Sequence, residues 1–132
     1  MKEFHLEVVT PDGKIYEDNV ESLLVHTDNG DVEFLAGHID YMASLGTGRA
    51  RIKAGGTDRF ASVSGGFVTV LDGDVKLVAI TFEFREDIDI DRAKAAIERA
   101  KDTIASSNDV KAIDIAKAKL MRALNRINVA EM

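Results

Sequence analysis

Two different spacings of apolar residues divide this chain. Up to residue 84 they come in short runs separated by turn residues; beyond it they recur at three- and four-residue steps. Phe4-His5-Leu6-Glu7-Val8-Val9 leads into Thr10-Pro11-Asp12-Gly13, a turn in which Pro presets φ and Gly tolerates positive φ. Ser22 to Thr27 reads as a strand closed by Asp28-Asn29-Gly30, a tight-turn signature. Residues 49–53 and 57–63 flank Gly55-Gly56 and predict a hairpin; residues 67–70 and 75–78 flank Leu71-Asp72-Gly73-Asp74 and predict another. Ser64-Gly65-Gly66 reads as a turn at the start of a strand. Strands this short and regularly punctuated predict an all-β antiparallel sandwich or barrel.

From residue 85 the period changes. Ile90, Ala93, Ile97, Ala100 and Ile104 form one apolar stripe at helical spacing, and Ile113, Ala116, Leu120, Leu124 and Ile127 form a second. Asp89 is placed to cap the first helix, and Asp91 adds negative charge to its first turn, where the helix dipole favours it. Ser106-Ser107-Asn108-Asp109 supplies the connection and the cap of the next helix. A connection this short turns neighbouring helices antiparallel when they pack. The expected architecture is an all-β N-terminal sandwich or barrel over residues 1–84, followed by a C-terminal antiparallel α-helical hairpin over 85–132. Both stripes are narrow and alanine-rich. At roughly 25 cal/mol per Å² of buried apolar area such a hairpin is thinly stabilised, so it is expected to detach from the β domain and reopen.

Composition sharpens the division. All 10 glycines, the 1 proline, the 6 Phe and the 2 Tyr precede residue 85. The net charge is −6, but residues 1–84 carry 7 Lys/Arg against 14 Asp/Glu, a balance of −7, while residues 92–126 carry 9 against 4, a balance of +5. The acidic total argues against nucleic-acid binding, which needs a cationic surface. A basic segment tethered to an acidic domain suits docking on a neighbour, an acidic partner or a small anion. The absence of cysteine excludes disulfides, thiolate metal sites and a cysteine nucleophile, and fits a reducing compartment. The N-terminal residues lack the pattern of a signal peptide, and no apolar run approaches the roughly 20 residues that span a bilayer. A cytoplasmic, soluble chain without direct membrane insertion is expected.

Little in the sequence looks catalytic. His5, His26 and His38 lie in separate segments without ligand spacing, and are expected to be exposed or hydrogen-bonded rather than metal-bound. Ser64-Gly65-Gly66 is not a nucleophile elbow; Gly46-Thr47-Gly48 is not a dinucleotide fingerprint; there is no Walker A sequence. Asp28, Asp31 and Glu33 are expected to be solvated around a turn. A hydrolase or transferase would need a general base, nucleophile or metal cluster at convincing spacing, and none is evident. One constellation stands out. Arg92 and Arg99 share a face of the first helix about 10 Å apart along its axis, and Arg122 and Arg126 share a face of the second. In an antiparallel hairpin, Arg92 comes level with Arg126 and Arg99 with Arg122. Two readings remain open: one basic patch that takes up a phosphate-like anion, or two solvated helix faces with local pairs such as Asp89–Arg92.

Several segments together resemble the epsilon subunits of F-type ATP synthases. They are Val8-Val9-Thr10-Pro11-Asp12-Gly13, Phe34-Leu35-Ala36-Gly37-His38-Ile39, Ser64-Gly65-Gly66-Phe67-Val68 and Ala123-Leu124-Asn125-Arg126-Ile127-Asn128-Val129, which run in order along almost the whole chain. The family usually has Pro at the positions of Ala36 and Asp40 and Gly at that of Glu33, departures placed in one loop of the β domain. The resemblance implies a non-catalytic rotor subunit at the cytoplasmic face of the bacterial plasma membrane, peripheral to it. Its β-sandwich would bind the gamma subunit and the c-ring. Its hairpin would fold down, or extend along gamma toward the alpha and beta catalytic subunits and block rotation in the hydrolysis direction. Ile88-Asp89-Ile90-Asp91-Arg92-Ala93 also matches the Ile/Leu-Asp-X-X-Arg-Ala motif of bacillus-type members that bind ATP as a regulatory ligand rather than a substrate. By that likeness Glu83 and Asp89 would hold the adenosine part and Arg92, Arg99, Arg122 and Arg126 would face the phosphates, alongside Ile88 and Ala93 of the motif. Whether Mg²⁺ accompanies the nucleotide is left open. The alternative is a purely structural rotor clamp on gamma without ligand sensing.

Overall fold

The computed structural model describes residues 2–132, among which eight strands precede two helices. The strands are β1 (Phe4–Thr10), β2 (Gly13–Val20), β3 (Ser22–Thr27), β4 (Gly30–Leu35), β5 (Tyr41–Ser44), β6 (Gly48–Ala54), β7 (Thr57–Leu71) and β8 (Asp74–Phe84). They build a β-sandwich in the order β2-β1-β8-β7-β6-β3-β4, with β5 added on β7. The period-2 pattern decides which face is inside: in β1, Phe4, Leu6, Val8 and Thr10 are buried and the residues between them are only partly covered. Leu6, Val8, Leu23, Phe34, Ile52 and Leu77 are fully buried, each contributing about 1.5–3 kcal/mol of transfer free energy.

The pairing differs from the sequence expectation in two ways. First, β1 runs parallel to β8 (Leu6 opposite Val75, Val8 opposite Leu77), although the other pairings are antiparallel. A hairpin dictates antiparallel pairing only for strands joined by a short turn; β1 and β8 are separated by the rest of the domain and are free of it. Second, Ser64-Gly65-Gly66 is not a turn between two strands. It lies inside the single 15-residue β7, and the register with β8 holds on both sides of it, Ser64 opposite Thr81 and Gly66 opposite Ala79. Gly65 and Gly66 take φ of +71° and +96°, a conformation open chiefly to Gly, so the strand kinks without ending. One edge of β7 is held by β8, the other by β6 over Thr57–Val63 and by β5 over Phe67–Val70.

Glu33 also moves from loop to strand: it lies in β4 opposite Leu24, and its carboxylate pairs with Arg51. Ala36 and Asp40 do lie between β4 and β5, where Asp40 accepts a 3.0 Å hydrogen bond from the Asp72 amide. The histidines are each engaged: His5 with Glu17 at 2.6 Å, His26 with Asp31 at 2.8 Å, and His38 Nδ1 with the Ile39 carbonyl at 2.7 Å.

A second compact unit, Arg85–Met132, begins directly after β8. A 3-10 turn (Arg85–Asp87) leads into α1 (Ile90–Ser106), and Ser107, Asn108 and Asp109 connect it to α2 (Val110–Ala130). The connection is one residue shorter than expected because Ser106 stays helical, its hydroxyl donating to the Asp102 carbonyl at 2.7 Å. Asp109 caps α2, accepting from the Lys111 amide at 3.0 Å. The two helices pack together as a hairpin. Alanines line much of its seam: Ala93 and Ala100 on α1 and Ala116 and Ala123 on α2 are buried, joined by Val129 near the end of α2 and flanked by half-buried Ile97, Ile104, Ile113, Leu120 and Ile127. The α2 stripe departs from expectation at one place: Ala116 is buried and Ile113, Leu120 and Ile127 are half-buried, but Leu124 gives way to Ala123. Leu124 is 43% exposed and Ala123 is 0% exposed, since close approach of two backbones selects alanine over leucine at the contact line.

Candidate functional site

The specified positions of the motif Ile88-Asp89-Ile90-Asp91-Arg92-Ala93 each have a local task. Ile88 is buried and closes the 3-10 turn, its amide donating to the Arg85 carbonyl at 3.3 Å. Asp89 has extended backbone geometry and accepts from the Arg92 amide at 3.0 Å, the N-cap bond that satisfies one of the free donors of the first turn. Ala93 is small because it sits in the helix seam. Of these residues only Arg92 sends a long polar side chain to solvent, and Asp89 keeps its second carboxylate oxygen beside the positive end of α1.

The other arginines follow one rule. Arg92 and Arg99 immediately precede buried Ala93 and Ala100; Arg122 immediately precedes buried Ala123, and Arg126 precedes half-buried Ile127. Stepping back one residue turns about 100° around an α-helix. In an antiparallel pair that step leads to the same side of the seam on both helices. All four arginine positions therefore lie along one flank of the hairpin. Arg92 and Arg99 are exposed, Arg122 and Arg126 half-buried. Arg126 already has an interaction partner, so the flank is not a bare row of charges. Helical spacing and the short connection are what bring the four together. The flank's donor chemistry is that of planar forks, which match the oxygens of a phosphate chain. Glu83 belongs to the first unit, at the next-to-last position of β8 opposite Ser62, and it too is engaged.

Sequence reasoning missed a second charged group. Lys14 of β2 bonds Glu17 at 2.6 Å and Glu7 at 3.1 Å; Glu7 also meets Lys76 of β8 at 3.5 Å, and Glu17 meets His5. Hydrogen bonding from Lys14 holds both carboxyls below their ordinary range, and the same bonds, Glu17's first, raise the Lys14 ammonium above its own. Its members come from three strands, so only the register reveals it.

Comparison with known proteins follows the division of the chain. Residues 3–85 match the family described as the ATP synthase delta/epsilon chain beta-sandwich domain, and residues 86–131 match its long alpha-helix domain. The ATP synthase epsilon chain of Bacillus pumilus is 40% identical over 132 residues, covering 98% of both chains. That of Halalkalibacterium halodurans is 41% identical over 132 residues with the same coverage. Among solved structures, a chain of the Euglena gracilis mitochondrial ATP synthase superposes with a TM-score of 0.84 at 24% identity, over 98% of this chain and 82% of that one. A chain from the Tetrahymena thermophila enzyme, in a structure of its central stalk and c-ring, gives 0.63 at 13% identity over 98% and 97%.

Proposed function

The chain belongs to the ATP synthase delta/epsilon family, and from that premise we propose that it is a non-catalytic central-stalk subunit of an F-type ATP synthase whose helical hairpin restrains ATP hydrolysis and is held folded by ATP. The β-sandwich binds the gamma subunit and the c-ring, and so places the chain at the cytoplasmic face of the membrane as a peripheral component. The hairpin exchanges between a folded form and one extended along gamma toward the alpha and beta subunits.

The observation that carries the regulatory part is the single flank of Arg92, Arg99, Arg122 and Arg126 along a seam rich in alanines. A seam rich in small side chains buries little apolar area, and aligned cations disfavour the folded hairpin further. A polyphosphate that engages the flank reverses the electrostatic term and favours the folded form, because it binds that form and not the open one. Asp89, through its remaining carboxylate oxygen, and Glu83 are suited to the hydroxyl and amino donors of a nucleoside. The same flank, freed of nucleotide in the extended form, presents guanidinium groups to acidic surfaces of the catalytic subunits.

Two measurements test this together. In the assembled enzyme, the full chain is expected to lower ATP hydrolysis relative to a chain ending at Asp87, with the difference shrinking as ATP rises. In the isolated chain, millimolar ATP is expected to slow amide exchange along α1 and α2, and Arg92→Ala to remove that response. Inhibition without any ATP effect on exchange would leave a structural clamp on gamma; equal hydrolysis with and without the helices would overturn the regulatory role.

A further inference from the structure

Phe84, the last residue of β8, is gripped from three sides. The guanidinium carbon of Arg59 lies 3.6 Å from the ring centroid, Tyr16 meets the ring edge-on at 5.7 Å, and Phe82 meets it at 5.1 Å. The register explains why Arg59 arrives there. Phe84 pairs with Ala61 of β7, and β8 stops at that pair, while β7 extends back to Thr57. Arg59 stands two residues before Ala61, so it shares the inward face with Ala61 but has no β8 neighbour opposite. Its side chain therefore folds over the open end of the core and lies across the ring. An arginine suits this place: its plane stacks on the aromatic face, its stem covers apolar surface and its charge stays in water.

The place matters because the next residue, Arg85, opens the second compact unit. The last pair of a ladder has a neighbour on one side only and opens more readily than interior pairs unless side chains hold it. We propose that Arg59 is a positioning residue: stacked on Phe84, it clamps the end of β8 and thereby fixes the orientation of Glu83. The clamp stands on the geometry of the β unit alone; the role given to Glu83 rests on the nucleotide reading above. Burial raises the Tyr16 phenol above its ordinary value, and the Arg59 charge pulls it back.

The test is amide exchange in the full-length chain. Arg59→Gln, which keeps a stem but removes charge and stacking plane, is expected to speed exchange at residues 82–84 by about 3- to 30-fold, the factor a cation–π contact carries. Arg59→Lys, which keeps the charge, recovers part of the protection, and amides in β3 and β4 stay unchanged. In a Phe84→Leu background, Arg59→Gln adds nothing further, because the partner it acts through is gone. Unchanged exchange at residues 82–84, or equal acceleration throughout the β unit, would overturn the clamp. ATP titration separates the second part: Arg59→Gln should weaken nucleotide binding if Glu83 is positioned this way. Unaltered affinity in a variant whose β8 end has opened would overturn the Glu83 role. A wild-type chain that binds no ATP would overturn it together with the nucleotide reading, leaving the clamp to be decided by exchange alone.

Discussion

The backbone of Gly66 passes so close to Val78 that a β-carbon at Gly66 would lie 1.9 Å from the Val78 carbonyl oxygen. Neither partner can yield, because both belong to the β7–β8 ladder that runs through the middle of the sandwich. Gly66→Ala is expected to cost more than about 4 kcal/mol, adding a backbone clash to the strain of a side chain at positive φ. Gly73→Ala provides the control. Gly73 also has positive φ, +84°, but nothing lies within 4 Å of its missing β-carbon, so only the strain of about 1–2 kcal/mol remains. Urea denaturation of both variants checks the difference; equal losses would remove close approach as the reason for Gly66.

This contact also shows what a linear reading misses. The turns at Gly13, Gly30, Gly55-Gly56 and Gly73 were legible because each is a local event, a chain reversal that needs positive φ. Gly65-Gly66 carries the same letters but acts through a neighbouring strand. The strands β2 and β4 close the two ends of the sheet order; β2 carries charged, largely exposed residues without a strong apolar alternation and is visible only through its pairing. The parallel β1–β8 pair and the Lys14 network likewise need the register. The arginine flank was legible, since helical period and a short connection suffice to place it. In the α2 seam the reading failed only at Leu124, where apolar size favoured the leucine but close helix approach selects Ala123.

That displacement leads to an opposite ranking of two adjacent substitutions. Ala123 is 0% exposed, so Ala123→Leu pushes a larger side chain into the seam and should cost about 1–3 kcal/mol. Leu124→Gln acts on a 43% exposed position and should change stability by no more than about 0.5 kcal/mol. Amide exchange of α1 and α2 reports this directly, since loss of the seam opens the hairpin while the β unit stays protected. A larger effect from Leu124→Gln would return the seam to the stripe read from the sequence.

The Lys14 network predicts a two-sided pH dependence. The Glu7 and Glu17 carboxyls are lowered by their hydrogen bonds with Lys14, so their contribution is complete above the ordinary carboxylate value of 4.5 and is lost as pH falls through their lowered folded values. The Lys14 ammonium is raised, so its contribution is complete below its ordinary value of 10.5 and is lost as pH rises through the higher folded value. The difference in urea midpoint between the wild-type chain and Lys14→Met should be flat through neutral pH and shrink at both extremes. Because these groups are at the surface, high salt should reduce it throughout. A difference that grew below pH 4.5 would contradict the pairing.

Asp89 combines two roles that one pair of substitutions separates. As the N-cap of α1 it accepts from the Arg92 amide, and Asp89→Ala should cost about 1 kcal/mol, seen as faster exchange in the first turn of the helix. Asn caps as well as Asp but carries no charge, so Asp89→Asn should leave that exchange almost unchanged. If the carboxylate also accepts hydrogen bonds from the nucleoside, Asp89→Asn should still weaken ATP binding, by roughly 10-fold for the loss of one charge-assisted bond. Ala and Asn would then differ in helix protection and agree in ATP response. If Asn instead binds ATP as tightly as the wild-type chain, Asp89 acts on the nucleotide only by starting the helix that carries Arg92.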